Sequence, residues 1–150
     1  MKISIKRLDD AFHFEAKNED GRTVQMDAAE KNLPDGSQVG GRNQGVRPTQ
    51  MLLMALAGCS AFDVVSILKK QKQQIDDFQI EVDGEQEDLK NAAKVFTDIK
   101  IHFHLKGNME SEKAKRAVEL SMEKYCSVEK TLRLAGAKID YKIFVNEKEV

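Results

Sequence analysis

The sequence contains two thiols, Cys59 and Cys126. Cys59 lies in a small, apolar run, residues 51–62, and Cys126 follows Tyr125 and precedes Ser127. Two readings are open. Free cysteine is among the most buried residue types and often only fills space. Alternatively, a thiolate is a nucleophile, and two thiols that meet form a redox pair. Residues 57–61, Ala-Gly-Cys-Ser-Ala, are unusually small and leave room for another group to approach the sulfur. Glycine inside a helix costs about 1 kcal/mol relative to alanine, so Gly58 is expected to serve packing or access. A mid-helix thiol in apolar surroundings has a raised pKa and needs a positive or hydrogen-bonding partner to react. Cys126 falls where one helix is expected to end and Ser127 to begin the next, and a helix start favours a thiolate. That position suits a resolving cysteine; a half-buried cysteine beside Tyr125 is the plainer alternative.

The remaining chemistry-bearing residues point less clearly. His102 and His104 share one face of an alternating segment, the arrangement of a metal-binding pair. Lys100 and Lys106 occupy the same face, so a solvated outer surface is the expectation. His13 stands between Phe12 and Phe14. The chain has no Cys-x-x-Cys and no His-x-x-x-His, so no metal site and no bound cofactor are expected. It has no Gly-x-Ser-x-Gly elbow for a serine hydrolase. The glycines of residues 34–48 lack the Gly-Lys-Ser/Thr of a phosphate cradle. This stretch reads as a loop, either a connector or a site-lining segment.

The elements that must position these residues follow from periodicity. Residues 2–8 alternate, Phe12 and Phe14 flank His13 in the same way, and residues 18–21 (Asn-Glu-Asp-Gly) signal a turn, giving a meander of two or three strands. Pro48 suits the first turn of a helix, which is expected to run to about Lys70 and to be buried on every side through Phe62. Phe78, Ile80 and Val82 make a strand, residues 84–91 an acidic turn, and Ile99, Ile101, Phe103 and Leu105 a second strand. Residues 111–124 have helical spacing, with Ala114, Ala117, Val118, Ser121, Met122 and Tyr125 on one face. Ser127 is placed to cap a helix over residues 128–135, stopped by Gly136. Ile139 to Val145 alternate as a last strand. Strands and helices do not alternate as βαβ throughout, so the fold class is α+β, in a single domain over residues 1–150.

A balance of 24 basic against 25 acidic residues argues against non-specific nucleic-acid binding, which needs clustered positive charge. Residues 1–7 have no apolar stretch behind their charges, so no signal peptide is expected there. The run of residues 51–62 is shorter than the roughly 20 residues of a membrane span. The expectation is a cytoplasmic protein, with no membrane partner, in which a paired thiol is more readily catalytic than structural. A helix apolar all round exceeds what one small sheet can cover. A second copy would cover the rest, so a two-fold homodimer with a large apolar interface is expected.

Residues 48–65 (PTQMLLMALAGCSAFDVV) and 120–128 (LSMEKYCSV) resemble the OsmC/Ohr family, most closely its YhfA-like branch. The two motifs agree in residue type and spacing, and the order of elements fits nearly the whole chain. The resemblance implies an intertwined α+β homodimer with two central helices packed together and active sites between subunits. It implies thiol peroxidase activity on organic hydroperoxides in oxidative-stress defence, with Cys59 peroxidatic and Cys126 resolving. No bound cofactor is implied; an external dithiol, such as a lipoyl group, would reopen the disulfide. The family also uses an arginine oriented by a glutamate. The arginine maps to the glycine-rich loop, to Arg42 in preference to Arg47, with Arg22 outside that loop as a further candidate. The glutamate maps near Thr49 and Gln50; Gln50 can hydrogen-bond but supplies no negative charge. Ten residues of one helix span about 15 Å at 1.5 Å per residue, so residue 49 and Cys59 of one chain cannot meet on a continuous helix, whereas an antiparallel partner helix brings them together. An OsmC-like dimer that has lost catalytic strength and binds a small apolar or electrophilic ligand is the alternative function.

Overall fold

The computed structural model describes residues 1–90 and 93–150, and the chain divides into two compact units, Met1–Leu52 and Leu53–Val150. The class is α+β, as expected.

In the first unit, β1 (Ile3–Arg7), β2 (Phe14–Asn18) and β3 (Thr23–Met26) form the expected antiparallel meander. Asn18 makes the turn between β2 and β3: its side-chain oxygen accepts from the backbone N–H of Asp20 (3.1 Å) and Arg22 (2.8 Å). Within the loop read over residues 34–48, Gln38–Gly40 form a strand, β5, that pairs with β4 (Glu30–Asn32), which precedes the loop. The later part of the loop is tied down by Asp27, whose buried carboxylate accepts from the N–H of Ala28 (2.7 Å), Arg42 (2.9 Å) and Gln44 (3.0 Å). A Cβ on Gly41 would lie 2.2 Å from the Ala28 carbonyl oxygen and 2.3 Å from the Asp27 carboxylate. Glycine is therefore required where the loop crosses this strand end.

Helix α1 spans Pro48–Lys70, with Pro48 opening it and Lys69 and Lys70 in the last turn, as the sequence suggested. Burial on every side does not hold within one chain. Leu56, Ser60, Val64 and Leu68, spaced by four, form the fully buried stripe, while Phe62 is 80% exposed and Met54 54%. One sheet covers one face of a helix, and within the described residues of the second unit the buried positions of α1 are confined to that stripe. By length and composition alone this 23-residue helix also passes for a membrane span, although the run of residues 51–62 falls short of one. Its seated stripe and the mid-helix Asp63 mark it as a core helix of an α+β protein.

The second unit contains a four-stranded sheet in the order β6 (Asp77–Asp88), β7 (Lys94–Lys106), β8 (Lys138–Val145), β9 (Lys148–Glu149). β7 and β8 run parallel and the other pairs antiparallel. Ile99, Ile101, Phe103 and Leu105 of β7 point into the core against the α1 stripe, as their alternation predicted. The acidic turn expected over residues 84–91 is mostly strand. β6 continues to Asp88 through a register shift at Glu85/Gln86, and Asn91 lies outside the described residues. Gly84 has another purpose: a Cβ there would stand 2.7 Å from the Phe96 ring and 3.1 Å from Leu53 on α1, so glycine lets these side chains lie against the strand.

Helix α2 (Ser111–Leu120) gives way to a π-helical turn, Ser121–Tyr125, and then to α3 (Ser127–Leu134). The π turn corrects two expectations. It adds a residue to the turn, with Cys126 N–H donating to the Ser121 carbonyl at 2.9 Å. Ser121, Met122 and Cys126 are thereby buried while Tyr125 is half exposed. The α3 cap is also Cys126 rather than Ser127, its sulfur accepting from the Glu129 N–H at 3.4 Å. Gly136, at φ 102°, follows the end of α3 as expected.

Candidate active site

α1 and the π turn bring the two thiols together. Cys59 is half-buried and Cys126 buried, both as free thiols. The sulfurs of Cys59 and Cys126 and a carboxylate oxygen of Asp63 all lie within 4.8 Å of one another. Asp63 follows Cys59 by four residues, so both occupy one face of α1, one turn apart. The Ser121 hydroxyl donates to Asp63 at 3.1 Å and orients it. The Ser60 hydroxyl lies 2.9 Å from the Leu56 carbonyl and 3.5 Å from the Cys126 sulfur; its single proton serves one of them at a time.

Burial pushes the Cys126 thiol above its usual pKa; the Ser60 hydroxyl and the Glu129 N–H pull it back, and neighbouring Cys59 adds to the rise. The capping position therefore does not yield the thiolate that a helix start alone would favour: desolvation outweighs it. An open groove of ≈ 450 Å³ shares Asp63 with the cluster, although neither cysteine lines it. Its other walls are Ser66, Ile67, Lys70, Gln71, Leu120 and Tyr125, apolar surface with a few polar groups, which suits a small substrate. A Cβ on Gly58 would meet nothing within 4 Å, so no packing contact among the described residues explains that glycine.

The arginines and Gln50 singled out from the sequence lie in the first unit. The Arg42 guanidinium pairs with Asp9 (3.3 Å) and Asp10 (3.0 Å). That of Arg47 donates to the Asn43 side chain at 3.3 Å. Arg22 sits exposed at the β2–β3 turn. Gln50 accepts from the Arg47 backbone N–H at 3.0 Å, while the Arg47 carbonyl accepts the first bond of α1 from Met51. This is the back-reaching half of a capping box, so Gln50 has a structural task at the start of α1 in addition to any role at a site.

Sequence reasoning missed Asp63, Ser60, Ser121 and Asp27. The first follows Cys59 at the helical spacing of four, a signal present in the sequence. The roles of the others depend on contacts between distant segments. His102 and His104 do lie on the outer face of β7, but half-buried and beside Glu81.

A family model described as OsmC-like protein matches residues 41–142. Protein YhfA of Escherichia coli (strain K12) is 45% identical over 82 residues, covering 54% of this chain and 60% of that protein. The match thus spans less than two thirds of that relative. A hypothetical protein from Aquifex aeolicus VF5 shares 26% identity over 97% of both chains, with a TM-score of 0.74. An organic hydroperoxide resistance protein OsmC from Legionella pneumophila shares 17% identity over 97% of this chain and 96% of that one, with a TM-score of 0.63, a likeness of fold alone.

Proposed function

The chain belongs to the OsmC-like protein family, and on that premise we propose that it is a cytoplasmic thiol-dependent peroxidase that reduces organic hydroperoxides, with residues 1–150 acting as one domain in a homodimer. The observation that carries this reading is the convergence of Cys59 and Cys126 on one cluster with Asp63. Two inert core cysteines would not need a carboxylate beside them. The name of the Legionella pneumophila relative, an organic hydroperoxide resistance protein, supports the substrate class.

In the proposed cycle Asp63 accepts the Cys59 proton. The Cys59 thiolate then attacks the terminal peroxide oxygen, the O–O bond breaks, and the alkoxide leaves as an alcohol after taking up a proton. Cys59 is left as a sulfenic acid. The Cys126 sulfur attacks it, water leaves, and an intramolecular disulfide forms. An external dithiol, of the lipoyl type, reduces that disulfide and becomes oxidised itself. A carboxylate next to a thiol opposes thiolate charge, so Asp63 acts by moving a proton and not by its field. The family resemblance assigns the compensating positive charge to an arginine, Arg42 in preference to Arg47 or Arg22; its guanidinium is paired with Asp9 and Asp10 and would have to exchange those partners to serve the thiolate. The partner subunit's helix would bring residue 49 or 50 to Cys59, which the 15 Å helical separation forbids within one chain. Peroxide consumption with tert-butyl hydroperoxide and dihydrolipoamide tests the reading: Cys59→Ser is expected to reduce turnover to background, and turnover retained in that variant contradicts it.

A second reading rests on Gln50. At the place where the family resemblance puts a carboxylate, this chain carries an amide engaged in capping α1. In that reading the groove beside Asp63 binds a small apolar or electrophilic ligand and turnover is secondary.

A further inference from the structure

The outer face of the sheet carries a second cluster that the thiol chemistry does not use. His102 and His104 are two apart on β7, so both side chains stand on the face away from the core. Glu81 of β6 is paired directly opposite His102. One ligand atom from each of the three lies within 4.8 Å of the others. Three further observations single this cluster out from an ordinary charged surface. First, the His104 ring is stacked on Phe144 of β8, with centroids 4.8 Å apart and planes 7° from parallel, which fixes the direction of its nitrogens. Second, its Nε2 is shielded from solvent and makes no hydrogen bond among the described residues; a carboxylate oxygen of Glu81 is 3.8 Å away. That separation is too long for a hydrogen bond, yet two bonds of about 2.0–2.2 Å to a shared ion span it. Third, nearby lysines do not neutralise Glu81. Lys100 pairs with Glu85, Lys142 with Glu149 and Lys106 with Glu147.

We propose that His102, His104 and Glu81 form a binding site for a divalent transition-metal ion of the Zn²⁺ class, coordinated by two imidazoles and one carboxylate across β6 and β7. Neutral imidazole and carboxylate are the ligand types this class of ion takes, and three protein ligands leave a position for water. The site clasps the two strands from the side opposite the core. It departs from the solvated surface that the flanking lysines suggested, because the third ligand lies on the neighbouring strand, where spacing along β7 cannot reveal it.

The test uses full-length protein carrying Cys59→Ser and Cys126→Ser, so that no thiol competes for metal. Titration with Zn²⁺ followed by calorimetry, with thermal unfolding in parallel, is expected to show one ion per chain and a Tm that rises with Zn²⁺ concentration. Adding His104→Gln or His102→Asn is expected to weaken binding at least tenfold and to remove the Tm rise. Glu81→Gln, which leaves the His104–Phe144 stack in place, guards against a mere packing defect and is expected to weaken binding about tenfold. Absence of saturable binding, or binding undiminished by Glu81→Gln or by the histidine substitutions, overturns the proposal.

Discussion

At Cys126 two influences on one sulfur compete. As the α3 cap it receives the Glu129 N–H, which favours a thiolate; as a buried group it is desolvated, which disfavours one, and desolvation is the larger. The native thiol therefore keeps its proton at pH values where an unfolded chain has lost it. Stability from this group is full below about pH 8.5, the ordinary thiol value, and declines as pH rises toward the higher native value. The same shift sets a kinetic expectation. If Cys126 attacks oxidised Cys59 as a thiolate, disulfide formation in acid-quenched time courses should accelerate as pH is raised from 7 through 9. A rate independent of pH over that interval argues against this role. Both cysteines were legible in the sequence through their motifs. Asp27 and Ser60 were not, because what they do depends on chain segments brought in by folding: Asp27 holds Arg42 and Gln44, and Ser60 meets the Cys126 sulfur.

Among the elements, strong periodicity was readable and local irregularity was not. The alternation of β7 and the opening of α1 at Pro48 appear where expected. The π turn over Ser121–Tyr125 does not announce itself, since residues 111–124 keep an ordinary helical pattern. Its insertion decides that Cys126, and not Tyr125, faces Cys59. Gly84 read as a turn residue because glycine marks turns as readily as it marks close approaches. The start of α1 yields a prediction. Glutamate at position 50 can keep the bond to the Arg47 N–H and adds a negative charge in the first helical turn, where it is favourable by about 0.5 kcal/mol. Gln50→Glu is thus expected to preserve or slightly raise the Tm while increasing the peroxidase rate several-fold. An unchanged rate with an intact fold favours the ligand-binding reading.

For the molecule as a whole, the exposed flank of α1 is the main open feature. A helix carrying Met54 and Phe62 largely in solvent is an unfavourable surface for a monomer. By its sequence α1 is apolar all round, more than one small sheet can cover; in the chain the sheet reaches only the Leu56–Leu68 stripe. In the proposed homodimer the second α1 covers the rest. Sedimentation is expected to give twice the chain mass, and Phe62→Asp to shift the protein toward monomer with loss of peroxidase activity. A monomeric parent protein with full activity contradicts the shared-site arrangement.

The most direct test of the proposed function is the fate of the two sulfurs after one equivalent of cumene hydroperoxide, read by intact-mass and peptide-mapping mass spectrometry under non-reducing conditions. The expected result is loss of two hydrogens and a Cys59–Cys126 cross-linked peptide that dihydrolipoamide removes, with Cys126→Ser instead accumulating a sulfenic acid on Cys59. Two unmodified thiols after full exposure to the peroxide would contradict it.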